Sequence, residues 1–373
     1  MNSVTETGGQ EESKKAIERL KDFTVVDFDV HDINVHLDKY AAYMDEPWAS
    51  RLKHLAYTDE PLIRSIGGSF HYDIEAKPPG MGDDVKTTTP EGVAAFMDRF
   101  NTDYVALHGH QTSLVSNVPE PEYAAAICSA YNDYILDNFC DYDEGIKASI
   151  RVAPQAPELA AEEIHRLADE KDMLNVHISA GMNGLLGEAK FEPIYEAAAE
   201  EGLAIDYHPT NTNHPWSGQW GGPHLQNSME AAASYNQMHF SHVPSLIFNG
   251  IPEKYPDLIH IFLEQGITWI PGVVARMDKN YERRKHVFPH LKKKPSEYFY
   301  ENFYFGTQPI EDPANPATIA KIIEMIDGKN MLMYTSDFPH YDFDYPSMLT
   351  IPGIDEETEK AIFGGNALKV LDF

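Results

Sequence analysis

The chain has 373 residues, 42% hydrophobic and 24% charged, and its 29 Lys and Arg against 59 Asp and Glu give a formal net charge of −30. That length and apolar share exclude a disordered chain and suit one large α/β barrel or two ordinary domains, while 24 Gly and 25 Pro in no periodic order exclude a collagen-like one. The acidic balance argues against nucleic acid or an anionic membrane as partner, because binding phosphate needs clustered Lys and Arg and the basic run here is only Lys292–Lys294.

Residues 1–22 read as a polar N-terminal extension with a short helix over Glu12–Leu20, and 23–373 as one domain. Met1–Leu20 has no apolar leader core, and no later run approaches the roughly 20 apolar residues that span a bilayer, so a cytoplasmic location is expected. Phe23–Val30 has the apolar run of a buried strand. Tyr104–Leu107 then leads to a helix around Pro121–Phe139, Ile146–Val152 to one around Pro157–Lys171, and Leu174–Ile178 to one over Phe191–Glu201. Ala204–Tyr207, Ile259–Leu263 and Met331–Tyr334 continue the rhythm, which ends in a helix around Asp355–Val370. About eight such units in one domain imply parallel βαβ crossovers and predict a single (β/α)₈ TIM-type barrel. Cys128 and Cys140 lie away from any Cys/His cluster, which argues against a disulfide framework or a zinc knuckle. Two loops, Arg51–Thr89 and Pro209–Asn227, are long and rich in Gly, Pro and His, the composition of lids and substrate walls at an active site.

Histidines and carboxylates recur just past the strand ends, where a barrel's C-terminal face builds its active site. Asp29-Val30-His31 ends the first strand, and residues two apart on a strand share a face, so both side chains reach the barrel mouth; a buried His bonded to a nearby Asp is the plainer alternative. His208 directly follows Ala204–Tyr207, and Asp337 follows Met333–Ser336. Two imidazoles and two carboxylates suit Zn²⁺, Mn²⁺ or Fe²⁺ with a position left for water, and lack the thiolates of structural zinc. Asp337 is also a candidate to take a proton from water on such an ion. His108, His110 and His177 face the same mouth, as substrate ligands or as orienting hydrogen-bond partners. Trp216, in the loop after His208 with Trp220, His214 and His224, offers a stacking surface for a planar substrate, with ordinary loop packing as the alternative. Arg276 suits a bidentate grip on a carboxylate or an ion pair with Asp278, and His340 would orient Asp337 or close the site.

Taken in order, Val26–His31, Phe191–Ala198 leading into Ile205–Pro209, Ser245–Leu258, Thr335–His340 and Phe363–Leu368 resemble the amidohydrolase superfamily. The branch is that of aminocarboxymuconate-semialdehyde decarboxylase, γ-resorcylate decarboxylase and related hydrolases, and the resemblance runs from Val25 to the C-terminus. It implies a barrel with one divalent metal on Asp29, His31, His208 and Asp337, and a homo-oligomer of two or more chains. Relatives carry His-x-His or Glu-x-His on the first strand, where this chain has Asp29-x-His31. Many also carry a His after the sixth strand, in a Gly-His-x-Gly context. Here Leu263-Glu264-Gln265-Gly266 stands there with Gln265 in place of that His, so Glu264 and His242 become the candidates for proton transfer. The resemblance implies a metal-dependent hydrolase of a small carboxylic or cyclic substrate, with zinc as the first metal and manganese or iron as alternatives. Two other functions stand beside it. One is non-oxidative decarboxylation of an aromatic or unsaturated carboxylic acid, which the carboxylate-x-His strand favours; the other is a catalytically silent metal-binding barrel.

Overall fold

The computed structural model describes residues 18–32, 37–57, 85–110, 112–182, 184–209, 233–234, 236–311, 315, 317–340, 342–344, 346 and 351–373. Residues 1–17 of the expected extension, most of the first long loop and nearly all of the second, Trp216 included, lie outside them. Eight parallel strands follow one another around one sheet in chain order: β1 (Val26–His31), β2 (Tyr104–His108), β3 (Ile146–Arg151), β4 (Met173–Ser179), β5 (Ile205–His208), β6 (His260–Phe262), β7 (Phe303–Gly306) and β8 (Leu332–Met333). The ring is closed by the chain around and after β8. Phe28 N–H donates to the Tyr334 carbonyl at 3.0 Å, Asp337 N–H to that of Asp29 at 2.9 Å, and His31 N–H to that of Phe338 at 2.8 Å. The expected (β/α)₈ barrel is therefore the fold.

Helices between the strands include α1 (Pro90–Phe100), α2 (Pro121–Ile135), α3 (Pro157–Leu167), α4 (Glu192–Glu201), α5 (Gln237–Phe248), α6 (Ile270–Arg284), α7 (Pro295–Asn302) and α8 (Ala317–Met325), and α9 (Asn366–Val370) ends the chain. Proline occupies the first turn of α1, α2, α3, α4, α6 and α7, where its missing N–H costs no helical hydrogen bond. The stretches expected as helices 121–139 and 355–370 each pass through a wider π-turn, Leu136–Cys140 and Ala361–Gly365. Strand β7 has no counterpart in the sequence reading, because α7 runs straight into it through the aromatic stretch Tyr298–Phe305 with no turn residue between them. Both cysteines are free and buried. Among the described residues no helix is long and apolar enough to cross a membrane.

The barrel interior has an apolar floor and a polar mouth. Val26, Phe28, Ala106, Ile261, Tyr304 and Met333 pack together on Ala367 and Leu371 of the C-terminal segment, which plugs the bottom. Strict alternation from Val26 and Phe28 would turn Asp29 and His31 outward. The register of β1 on β2 instead slips between Asp27 and Val30, and a second slip affects β3 on β4 between Ala148 and Ile150. These bulges change the inward parity, so an apolar floor and a polar rim come from the same short strands.

Lys147 and Asp172 form a buried ion pair of 2.6 Å between β3 and the turn before β4. Asp172→Ala would leave the ammonium buried without a partner, and is expected to destabilise the fold by about 3 kcal/mol in urea unfolding with metal content unchanged.

Candidate metal centre

One ligand atom from each of Asp29, His31, His208 and Asp337 lies within 4.8 Å of all the others, and all four residues are buried. Each imidazole is held by its Nδ1. That of His31 faces the His108 carbonyl at 3.1 Å, and that of His208 faces the Pro209 carbonyl at 2.7 Å. A nitrogen facing a carbonyl carries the proton, so both Nε2 atoms turn a lone pair inward. They meet carboxylates: His31 Nε2 is 2.9 Å from Asp337 Oδ1, and His208 Nε2 is 3.5 Å from Asp29 Oδ2. Asp29 Oδ2, His31 Nε2 and His208 Nε2 are nevertheless buried without a hydrogen-bond partner. Converging orphan atoms of two carboxylates and two imidazoles fit one divalent cation.

The charges are mutually dependent. Burial alone would raise the Asp29 carboxyl, but the His208 and His31 charges outweigh it and hold Asp29 well below the usual carboxylate range. Burial, then repulsion from Glu264 and Asp29, pushes Asp337 well above it. Burial lowers His31, whereas at His208 the Asp29 carboxylate outweighs burial and raises the imidazole. Without a cation, burial and neighbouring charge favour the protonated Asp337 carboxyl and the Asp29 carboxylate favours a proton on His208, so a cation competes with protons at both. Manganese affinity is expected to rise as pH is raised through neutrality, with proton release visible by calorimetry in buffers of different ionisation heat. An affinity flat through neutrality would contradict this charge distribution.

A second polar layer lies beside the first. His108 Nδ1 is 3.0 Å from Asp29 Oδ1, and its Nε2 is 3.2 Å from the Ser149 hydroxyl and 3.4 Å from Asp206 Oδ2. Asn175 donates to Asp206 Oδ2 at 2.6 Å, and His177 Nδ1 lies 2.6 Å from Asp206 Oδ1. Burial would lower the His108 imidazole, but Asp206 and Asp29 raise it to about 9, so it stands as a cation between two carboxylates. Asp337 Oδ1 is 2.5 Å from His340 Nδ1, whose Nε2 is 3.2 Å from His110 Nδ1, and Gln308 donates to Asp337 Oδ2 at 3.1 Å. His108, His177, His110 and His340 therefore gather around the four-residue cluster and orient it, directly or in chains.

Glu264 Oε2 is 3.3 Å from His208 Nε2, and Glu264 also groups with Asp337 and His340. Burial pushes its carboxyl up to about 8, so it holds a proton near neutrality. Glu264 thus reaches the cluster where Gln265 was expected to stand in for a His. Gln265 instead turns its Oε1 towards the His239 amide at 3.5 Å. His242 is also corrected as a proton carrier: Leu186 N–H donates to its Nδ1 at 3.2 Å, and its Nε2 lies 3.1 Å from the Ala180 carbonyl, so both ring nitrogens serve the main chain. Arg276 is exposed on α6 rather than in the mouth, and Asp278 accepts from Ser296.

The guanidinium at the mouth is that of Arg151, which the sequence reading missed. It is buried at the end of β3, where Nη1 donates to the Thr112 carbonyl at 3.2 Å and to the Ser179 hydroxyl at 2.9 Å. Its signal was the period-two run Lys147-x-Ser149-x-Arg151 in a strand otherwise read as apolar. Asp206, Asn175 and Gln308 were likewise missed.

A closed β/α ring whose mouth carries this donor set defines a barrel enzyme built around one divalent cation. The chain matches the amidohydrolase family over residues 26–373 and belongs to it. It is 24% identical over 290 residues to a γ-resorcylate decarboxylase from Polaromonas sp., covering 70% of this chain and 82% of that protein. Its fold is similar to that of 5-carboxyvanillate decarboxylase from Sphingomonas paucimobilis, with TM-score 0.67 and 22% identity over 93% of this chain and 98% of the other. It is also similar to a dihydroxybenzoic acid decarboxylase from Polaromonas sp. with bound manganese and the inhibitor 2-nitroresorcinol, with TM-score 0.62 and 18% identity over 93% of this chain and 96% of the other.

Proposed function

We propose that this amidohydrolase is a manganese-dependent, non-oxidative decarboxylase of an aromatic carboxylic acid, with Asp29, His31, His208 and Asp337 as the metal ligands. The observation that carries this reading is the position of the Glu264 carboxyl, 3.3 Å from His208 Nε2 and beside Asp337 and His340, where burial favours its protonated form. Decarboxylation needs an acid: a proton goes to the ring carbon bearing the carboxylate, that C–C bond breaks, and carbon dioxide leaves while the ring recovers its electron pair. Hydrolysis needs a base instead, and burial that favours the protonated carboxyl works against that role. The named relatives are decarboxylases, and one binds manganese, which supports carboxy-lyase over hydrolase and manganese over zinc.

A cation held by these four residues would supply positive charge that favours ionisation of a hydroxyl beside the reacting carboxylate, and the phenolate would feed electrons to the ring carbon that takes the proton. The remaining roles belong to the chain. Glu264 delivers the proton and His340 orients Asp337. His108, pinned between Asp29 and Asp206, keeps Asp29 ionised and in place. The test is turnover of ortho-hydroxybenzoates by the manganese-loaded chain in deuterated water. Expected are carbon dioxide and arene in equal amounts, with deuterium at the vacated carbon. Product carrying oxygen from water, without carbon dioxide, would restore the hydrolase reading, and bound metal without turnover on either panel would favour the silent barrel.

A further inference from the structure

The two oxygens of Asp337 are held by different partners. Oδ1 is 2.9 Å from His31 Nε2, whose lone pair turns into the cluster, and 2.5 Å from His340 Nδ1. Oδ2 instead accepts from Gln308 Nε2 at 3.1 Å, and the same nitrogen donates to the Asp342 carbonyl at 3.3 Å. Both Asp337 and Gln308 are fully buried, and Gln308 Oε1 has no hydrogen-bond partner. A flipped amide would turn that oxygen against two acceptors, so the donor end has to face Asp337. A buried acceptor without a partner carries a cost that an apolar side chain of the same length would avoid, so packing alone does not account for an amide here.

Gln308 is itself fixed just past β7. Its N–H donates to Thr335 Oγ1 at 3.0 Å, and its carbonyl accepts from Gly266 N–H at 3.4 Å. The Asp337 main chain is anchored as well, with a φ of 61° and its N–H on the Asp29 carbonyl. A turn of the Asp337 carboxyl that presented both oxygens to the cluster would therefore break the Gln308 bond.

We propose that Gln308 is a positioning residue that confines Asp337 to one oxygen at the metal, which keeps room beside the four ligands for a substrate with two neighbouring oxygens. The proposal rests on the ligand assignment made under the decarboxylase reading. Four single-atom donors leave two of the roughly six positions that manganese fills, whereas a carboxylate gripping through both oxygens would leave one. A neutral amide suits the task, because an Arg or Lys there would repel the cation. His340 and Gln308 thus act on the same carboxylate in opposite senses: one aims the ligating oxygen and the other holds back its neighbour.

The test is calorimetric binding of catechol, with two neighbouring oxygens, and of phenol, with one, to the manganese-loaded full chain. The native chain is expected to bind catechol about tenfold or more tightly than phenol. Gln308→Met keeps the length and loses the donor. It should hold manganese at least as tightly as the native chain and bind phenol unchanged, with the catechol preference reduced to near one. Gln308→Asn, whose shorter amide cannot span both acceptors, should show the same change and carries the test if the Met variant does not fold. A loaded native chain without the preference overturns the proposal, and so does a folded variant that keeps it. A variant that loses manganese, or binds both ligands more weakly, also overturns it, since Gln308 would then only support the centre's fold. A native chain that takes up no manganese removes the ligand assignment and the proposal with it. Because neither ligand is a carboxylic acid, binding is read without turnover: a chain with the expected pattern that releases no carbon dioxide from any benzoate refutes the decarboxylase reading and leaves the role of Gln308 standing.

Discussion

His208→Ala and Asp337→Ala are each expected to strip the centre, taking manganese from about one equivalent per chain to below about a tenth and lowering turnover by on the order of a thousandfold or more. Each removes one of four converging donors, and the remaining three cannot rearrange because their second atoms are committed: His31 Nδ1 to the His108 carbonyl, Asp29 Oδ1 to His108. His340→Ala separates a donor from a group that only aims one. It leaves all four atoms in place but frees Asp337 Oδ1, so a loss of about tenfold to a hundredfold in affinity is expected, with turnover recovered at high manganese. The metal-free proteins should behave oppositely. Asp337 is buried with its carboxyl pushed up, first by burial and then by Glu264 and Asp29, so deleting it removes the cost of keeping a buried carboxyl protonated, and metal-free Asp337→Ala is expected to melt no lower than metal-free native chain. Full metal content in both alanine variants would remove these residues from the centre.

The barrel was legible because alternating apolar runs and amphipathic helices leave few other packings, and the strand ends were legible as the place for chemistry. What the sequence concealed was parity. Phe28 and Asp29 are adjacent, yet one lines the floor and the other the mouth, since the β1 register slips between them and Val30. The spacing of Asp29 and His31 therefore put them on one face correctly without revealing how they came to face inward. Glu264 and Gln265 are adjacent too. Which of them enters the mouth is settled by the backbone leaving β6, where Glu264 takes a positive φ of 51° that no local pattern announces. His242 lies close to the mouth in sequence terms, but α5 turns it onto the main chain at Ala180 and Leu186. Arg151 was hidden for a different reason: a lone Arg in a strand reads as an edge or surface residue, and only the closed ring makes it interior.

Glu264→Gln tests the step that separates the two chemistries. Gln keeps the shape and a hydrogen-bond donor but carries no transferable proton, so kcat for decarboxylation is expected to fall by about a hundredfold to ten-thousandfold. Manganese content should stay at the native value, since Glu264 is not among the four converging ligands. The pH profile carries the sign. Burial raises the Glu264 carboxyl while the centre is metal-free and a cation beside His208 would lower it, so the alkaline limb of turnover reports where Glu264 loses its proton in the loaded centre. Native turnover should therefore decline on the alkaline side, and the residual activity of Glu264→Gln should lack that decline. Glu264→Asp, which keeps the acid but shortens its reach, should retain the alkaline limb at reduced rate. A Gln variant with native kcat would assign the proton to another group. A variant that lost its manganese as well would place Glu264 among the metal ligands instead, and the chain would then need an acid from outside this cluster to decarboxylate at all.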